Sequence, residues 1–355
     1  MSKYRCLSGL SPQVKKFFLK LPQEIYVLDD SPQDIKTEKA ILNGSHVLSK
    51  NFSVYPFVVL NEHHEVCCRC LLTYYTNDPI AYLGFFEAKP NKSAVRQLFL
   101  HVEQKARRDG KTQIIGPINS SIYIGYRFKT NRFHETYTGE PYNKPYYKEM
   151  WLNAGFQVNA KYLSHNLRKV STSDIDPQME KIHCRYVERG FEFISPTDDS
   201  FKKCMRDVYH VMMESYSGFV GFKKITEYQF LELFSGLKKI TNYDMIKLAY
   251  KDGKLHAFAI ALPNYGKFTK GKLTLLKLLK IMRIKRQPQE YVILYVGADK
   301  TVGLGCAIMH HLRNLLYENQ CTSITALIKE GNLTGKVYSD LHTDTFEYEL
   351  FQKVL

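Results

Sequence analysis

No apolar run in this 355-residue chain approaches 18 residues, and mean hydropathy is -0.32. A bilayer-spanning helix needs about 20 such residues, so a membrane span is excluded. The opening stretch "MSKYRCLSGLSPQVKKFF" lacks the apolar centre and small-residue cleavage site of a secretory signal, and export is not expected. Low-complexity tracts and short-period repeats are missing too. Eight irregularly spaced cysteines give no disulfide framework; in a chain this large they fit reduced thiols and an expected cytoplasmic location. Acidic residues are scarce, 35 against 50 Lys and Arg, leaving a formal charge of +15 and a pI near 9.2. Such a surface attracts polyanions, whether nucleic acid, anionic lipid, CoA phosphates or an acidic carrier protein, and selects none of them.

What is present is core-forming: 44% hydrophobic and 13% aromatic residues over a length that suggests two domains. "YPFVVLN", "VCCRCLLTYY" and "IAYLGFFEA" read as strands, "SAVRQLFLHVEQKARRDG" as a helix and "TQIIGPIN" as a short strand. The order returns in the second half. "FEFISP" is a strand, "SFKKCMRDVYHVMMESYSG" and "TEYQFLELFSGLKKI" are helices, and "DMIKLAYKDGKLHAFAIAL" is a hairpin turning at Asp252-Gly253. "YVILYVGA" follows as a strand, "GCAIMHHLRNLLYEN" as a helix, "SITALI" and "TFEYELFQKVL" as strands. The polar, weakly patterned "STSDIDPQMEKIHCRYVERG" places a boundary within residues 171–187.

"HHEVCCRC", residues 63–70, has metal-ligand chemistry, but strand alternation sends Cys67 and Cys68 to opposite faces, and no second Cys pair completes a structural zinc site. Buried strand cysteines and no metal are expected. "DKTVGLGCA" is more informative. Backbone amides at a helix start form an anion site, and glycines let phosphate approach. A Walker loop would need Gly-Lys-Ser or Gly-Lys-Thr, but Cys306 and Ala307 follow Gly305; a dinucleotide fingerprint would need a small residue where Ile308 stands.

An apolar strand, then Lys300-x-x-Gly303-x-Gly305, an amphipathic helix, a strand and "EGNLTGKVYSDL" resemble the acyl-CoA-binding half of the GNAT superfamily of N-acyltransferases. Asn332 and the Val337-Tyr338 pair resemble that family's late motif, with spacing one residue short. "FFLKLPQEIY", "YLGFFEA", "GPINSS" and "GEPYNKPYYKEMWLNAGF" resemble bacterial tandem members; in this half the loop position reads "AKPNKSAVRQL", without glycine. The resemblance implies an α/β chain of the α+β type: two GNAT-like domains, residues 1–178 degenerate and 179–355 carrying the acyl-CoA site, each a mixed, mainly antiparallel sheet flanked by helices.

It further implies an acyl-CoA-dependent N-acyltransferase using acetyl-CoA or a longer acyl-CoA, with a small-molecule or peptide amine as acceptor. Tyr295, Val296 and Gly297 would hold the acyl carbonyl, and Lys300, Thr301, Val302, Gly303, Leu304, Gly305, Cys306, Ala307 and Asn332 the rest of the cofactor. Tyr338 is the implied proton donor to the thiolate, and Glu214 and Glu330 are candidate bases. Two rivals stand beside this: a tandem GNAT enzyme taking aminoacyl groups from tRNA, and a non-catalytic module binding acyl-CoA or protein. The stretch "KFTKGKLTLLKLLKIMRIKR", residues 267–286, has eight basic and no acidic residues. It suits an acyl carrier protein, adenosine phosphate, membrane or RNA; a helix packed on the core with a solvated basic face is the reading preferred. Residues 125–151 interleave aromatics with cations, as a substrate groove or single-stranded nucleic acid site would, with core packing expected for most of them.

Overall fold

The computed structural model describes residues 3–26, 31–175, 177–271, 273–299, 301, 303–331 and 337–355, with Lys267 described by its backbone alone. The first half runs β1 (Arg5–Ser8), α1 (Pro12–Ile25), α2 (Ile35–Leu42), β2 (Phe52–Leu60), β3 (Val66–Tyr75), β4 (Ile80–Ala88), α3 (Lys92–Arg108), β5 (Gln113–Gly116), β6 (Phe128–Lys129), α4 (Tyr147–Asn153) and β7 (Gln157–Leu167). The second runs α5 (Pro177–Glu188), β8 (Glu192–Ile194), α6 (Phe201–Ser215), α7 (Glu227–Phe234), α8 (Leu237–Ile240), β9 (Ile246–Lys251), β10 (Lys254–Pro263), α9 (Leu275–Arg286), β11 (Glu290–Ala298), α10 (Leu304–Glu318), β12 (Thr322–Lys329) and β13 (His342–Val354).

Local chemistry explains the main helices. The Asn91 side chain accepts from the Ala94 amide to start α3, whose buried face, Ala94, Val95, Leu98, Phe99, Val102 and Ala106, keeps helical spacing. That face lies on a cluster of rings centred on the fully buried Trp151, with Phe86, Phe99, Phe128, Phe156 and Phe351 around it. In the second half α10 buries Leu304, Ala307, Ile308, Leu312 and Leu316 against Met179 and Tyr186 of α5. The segment read as polar and weakly patterned is therefore largely this helix, because few of its residues need to face inward to dock on α10.

Both repeats belong to one continuous sheet, ordered β1-β2-β3-β4-β5-β13-β7-β12-β11-β10-β9-β8. Its centre is an exchange: β13, last in the chain, pairs with β5 of the first half, while β7, last of the first half, pairs with β12. The two exchanged strands run antiparallel to each other from His342 opposite Leu167 to Gln352 opposite Gln157.

Two sequence expectations are corrected. Cys67 does not face away from Cys68: Val59 pairs with Cys68 and Leu60 with Val66, so Cys67 is an extra, bulged residue, and Cys67, Cys68 and Cys70 all join the apolar cluster beneath α3. Burial raises the pKa of all three thiols. The basic stretch forms α9, capped by Thr274, but no residue of this helix is buried; Leu275 and Leu276 are 73% and 72% exposed. Its leucines meet solvent, not the core.

Candidate active site

Strands β11 and β12 are parallel neighbours only from Glu290–Ile293 against Thr322–Thr325, and beyond these pairs the ladder between them stops. On its other edge β11 stays paired to β10, where Ile260 faces Tyr295 and Ala261 faces Ile293, leaving Leu294 as a bulge. The same edge of β11 therefore parts from β12 while the strand itself continues. The Ser215 hydroxyl, at the end of α6, donates to the Ala298 carbonyl at 2.9 Å, and the hydroxyl of the next residue, Tyr216, to the Val296 carbonyl at 3.3 Å. A strand residue sends its N–H and C=O to the same side, so the Val296 amide points into the opening.

At the end of β11, Asp299 accepts from the Thr301 amide at 2.9 Å and sits 2.7 Å from His256 Nδ1. Burial alone would raise the Asp299 pKa, but the Thr301 and His256 contacts hold the carboxyl below its ordinary value. Gly303 caps α10 with φ +87°, a left-handed conformation that glycine adopts without strain. Among the described residues a Cβ at Gly305 would meet nothing within 4 Å, so this position faces open space there. The Cys306 and Ala307 amides turn back to the Gly303 carbonyl at 3.1 and 3.2 Å, and the Leu304 amide to the Thr301 carbonyl at 3.3 Å. The glycine of Gly297 answers a different need: a Cβ there would lie 2.6 Å from the Phe258 ring. Lys300, Val302 and Asn332 lie outside the described residues.

The opening leads into a cavity of about 1440 Å³ lined by both halves, including Ile293, Leu294, Tyr295 and Val296 of β11, Met309 of α10 and Thr325 to Lys329 at the end of β12. From the first half come Tyr126, Arg127, Tyr137, Glu140, Tyr142 and Glu87, so the aromatic and cationic stretch 125–151 contributes a groove as well as packing.

The three candidate catalytic side chains are not brought together there. Tyr338 is buried behind α10 with φ +70°; its hydroxyl donates to the Met309 carbonyl, and burial drives the phenol pKa well above its ordinary value. Glu214 and Glu330 are exposed, and none of the three lines the cavity.

Side chains that sequence reasoning passed over do line it. Glu87 accepts from the Tyr147 hydroxyl at 2.5 Å, and burial pushes its carboxyl up to about 7 against the pull of Arg69. Arg69 is held in turn by Glu38 through two bonds of 2.8 and 2.7 Å. Glu140 pairs with Lys129 at 2.7 Å, both side chains fully buried, and ends a chain of hydroxyls. The Leu327 amide donates to Ser164 at 2.8 Å, Ser164 lies 2.8 Å from Tyr137, Tyr137 2.9 Å from Tyr348, and Tyr348 donates to Glu140 at 2.6 Å. A signal was available: Glu87 and Arg69 are lone charges inside otherwise apolar strand runs, and such charges are buried only when partnered or used.

The first half repeats the strand geometry with its opening filled. β4 and β5 pair in parallel only from Ile80–Tyr82 against Gln113–Ile115, and β4 carries its own extra residue at Phe85–Phe86. Here the chain after β5 enters the gap: the Ile118 amide donates to the Leu83 carbonyl at 2.8 Å, and the Phe85 amide to the Asn119 side chain at 2.7 Å.

Solved structures share this fold. A tandem GNAT protein from the clavulanic acid biosynthesis pathway superposes with a TM-score of 0.50 at 10% identity, covering 99% of this chain and 98% of its own. A probable N-acyltransferase from Enterococcus faecalis gives 0.52 at 9% identity, over 99% of this chain and 72% of that one. A GCN5-related N-acetyltransferase from Anabaena variabilis gives 0.53 at 8% identity, over 99% and 73%. At such identities the likeness is one of fold, and this chain has the tandem GNAT fold. Its sequence matches no family model and no curated protein.

Proposed function

We propose that this chain transfers an acyl group from an acyl-CoA to an amine, with the donor held by the second repeat. The observation that carries the reading is the asymmetry between the repeats: the β11–β12 opening enters a large cavity, whereas the equivalent β4–β5 gap is filled by Ile118 and Asn119. The inward Val296 amide suits an acyl carbonyl whose oxygen gains charge during attack. Open space at Gly305, at the N-terminal, positive end of a 15-residue helix, suits a pyrophosphate. The thioester supplies the activated carbonyl, and the chain supplies position, amide donors and a walled cavity. That cavity exceeds the roughly 300 to 1,000 Å³ of ordinary small-molecule sites, so acyl groups longer than acetyl belong in the test.

Calorimetric titration of acetyl-CoA and a long-chain acyl-CoA tests this. Gly305→Glu is the informative variant, since its side chain enters open space and an acid in a helix's first turn is tolerated, yet it places a negative charge where phosphate would sit. Gly303→Glu would instead strain a left-handed residue and confuse folding with binding. The expected result is micromolar binding of one donor, weakened by about 100-fold or more in Gly305→Glu, or about 2.7 kcal/mol. Failure of both donors to bind, or equal binding by the variant, overturns the assignment.

A further inference from the structure

Arg127 is only 4% exposed, and among the described residues it has no carboxylate partner. Two other buried cations nearby are paired, Arg69 with Glu38 and Lys129 with Glu140. Arg127 instead lies against two rings, its guanidinium carbon 3.6 Å from the centroid of Tyr126 and 4.1 Å from that of Tyr162. One nitrogen, Nη1, donates to the Leu327 carbonyl at 3.2 Å, which ties the group to the end of β12 beside the opening. Its Nε is buried with no hydrogen-bond partner. Tyrosine faces compensate a guanidinium only in part, and burying an unpaired charge is costly. Burial depresses even this strong base to about 10. The chain holds this cation in place through a left-handed backbone at Arg127, φ +67°.

We propose that Arg127 binds a carboxylate on the acceptor, which makes the substrate an amino acid or another amine bearing a carboxylate near its nucleophilic nitrogen. The proposal rests on the acyl-transfer reading for the word acceptor. A planar guanidinium with one nitrogen fixed and the neighbouring N–H groups unspent matches the two oxygens of a carboxylate. Its position assigns that anion to the acceptor: Arg127 comes from the first half and lines the same cavity as Leu294 to Val296, whereas the donor's phosphates belong at α10.

The test compares each common amino acid with its own primary amide as acceptor for the wild-type protein, following thiol release from acetyl-CoA and from a long-chain acyl-CoA. Acids turned over with kcat/KM about 100-fold above their amides are expected, that preference collapsing in Arg127→Gln while donor affinity by calorimetry stays within about twofold. Amides used as well as acids, or an acid preference that survives Arg127→Gln, overturn the proposal. The wild-type comparison stands even if the variant folds poorly. Should no amine be turned over, saturation-transfer NMR with N-acetyl amino acids and their amides still decides: acid-selective binding lost in a folded Arg127→Lys or Arg127→Gln variant supports an Arg127 carboxylate site, and binding indifferent to the carboxylate overturns it. Donor titration is scored separately, so failure of the acyl-transfer reading is told apart from failure at Arg127.

Discussion

Among single residues, Glu87 makes the most direct claim on pH. Its carboxyl is raised from 4.5 to about 7, first by burial, so between these values the folded chain holds a proton that the unfolded chain has released. Rising pH through that window therefore destabilises the fold, by at most about 1.4 kcal/mol per pH unit from this group. Glu87→Gln keeps an acceptor for the Tyr147 hydroxyl and removes the titration. Urea midpoints measured from pH 4 to pH 8 should show the variant gaining on wild type between 4.5 and 7 and running parallel above; parallel curves throughout would mean the carboxyl titrates normally. Histidines such as His311, lowered to about 4 by burial and by His183, slope the other way in both proteins and cancel in the difference. Residues of this kind explain where the sequence was mute. Gly303 and Gly305 stand out in the sequence because the turn they make is local, at the start of α10. Glu87, Arg127 and Glu140 act in part through distant partners, Glu87–Arg69, Arg127–Leu327 and Glu140–Tyr348, and no spacing rule reaches them. Tyr338 failed for the opposite reason: its motif was local and imperfect, and its hydroxyl went to a helix carbonyl.

Elements were easier to read than their edges. Runs such as "VCCRCLLTYY" and "IAYLGFFEA" coincide with β3 and β4 because two-sided burial and branched or aromatic side chains leave them little choice. Bulges, by contrast, depend on what the neighbouring strand does, so the extra residues Cys67, Phe85–Phe86 and Leu294 have no signature of their own. Yet the β4 and β11 bulges stand at the openings that differ between repeats. The filled gap can be tested at Gly84, where a Cβ would come within 2.0 Å of the Ile118 carbonyl oxygen and 2.6 Å of Asn119 Cα. Both are backbone atoms, so relief means moving the segment. Gly84→Ala should cost about 3 kcal/mol or more in urea unfolding, at the upper end of overpacking. A loss below about 0.5 kcal/mol would show that the segment rests loosely in the gap and that the first repeat is less firmly closed than its hydrogen bonds imply.

At the scale of the whole molecule, the sequence pointed to two repeats and concealed how they are joined. Pairing partners of β7 and β13 are set by registers spanning nearly 200 residues, from His342–Leu167 to Gln352–Gln157, and nothing in either strand announces that each lies beside the other half. The consequence is mechanical: the C-terminal strand is part of the first half's core. Phe351 of β13 is fully buried and its ring lies 5.9 Å from that of Trp151, while its backbone pairs with Gly116 of β5. Because Trp151 is the single tryptophan of the chain, its fluorescence reports the first half alone, whereas far-ultraviolet circular dichroism reports every helix and strand. Phe351→Ala removes a ring that cannot be replaced by collapse among the aromatics packed around Trp151, and should cost about 3 to 5 kcal/mol. If the strand exchange couples the halves, the urea midpoint of Trp151 fluorescence falls and the dichroism midpoint falls with it, the two transitions remaining coincident as they must for one cooperative unit. A Trp151 transition that ignores this C-terminal substitution would deny β13 its place between β5 and β7. A fluorescence shift that leaves the main dichroism transition behind would show instead that the halves unfold separately despite sharing a sheet.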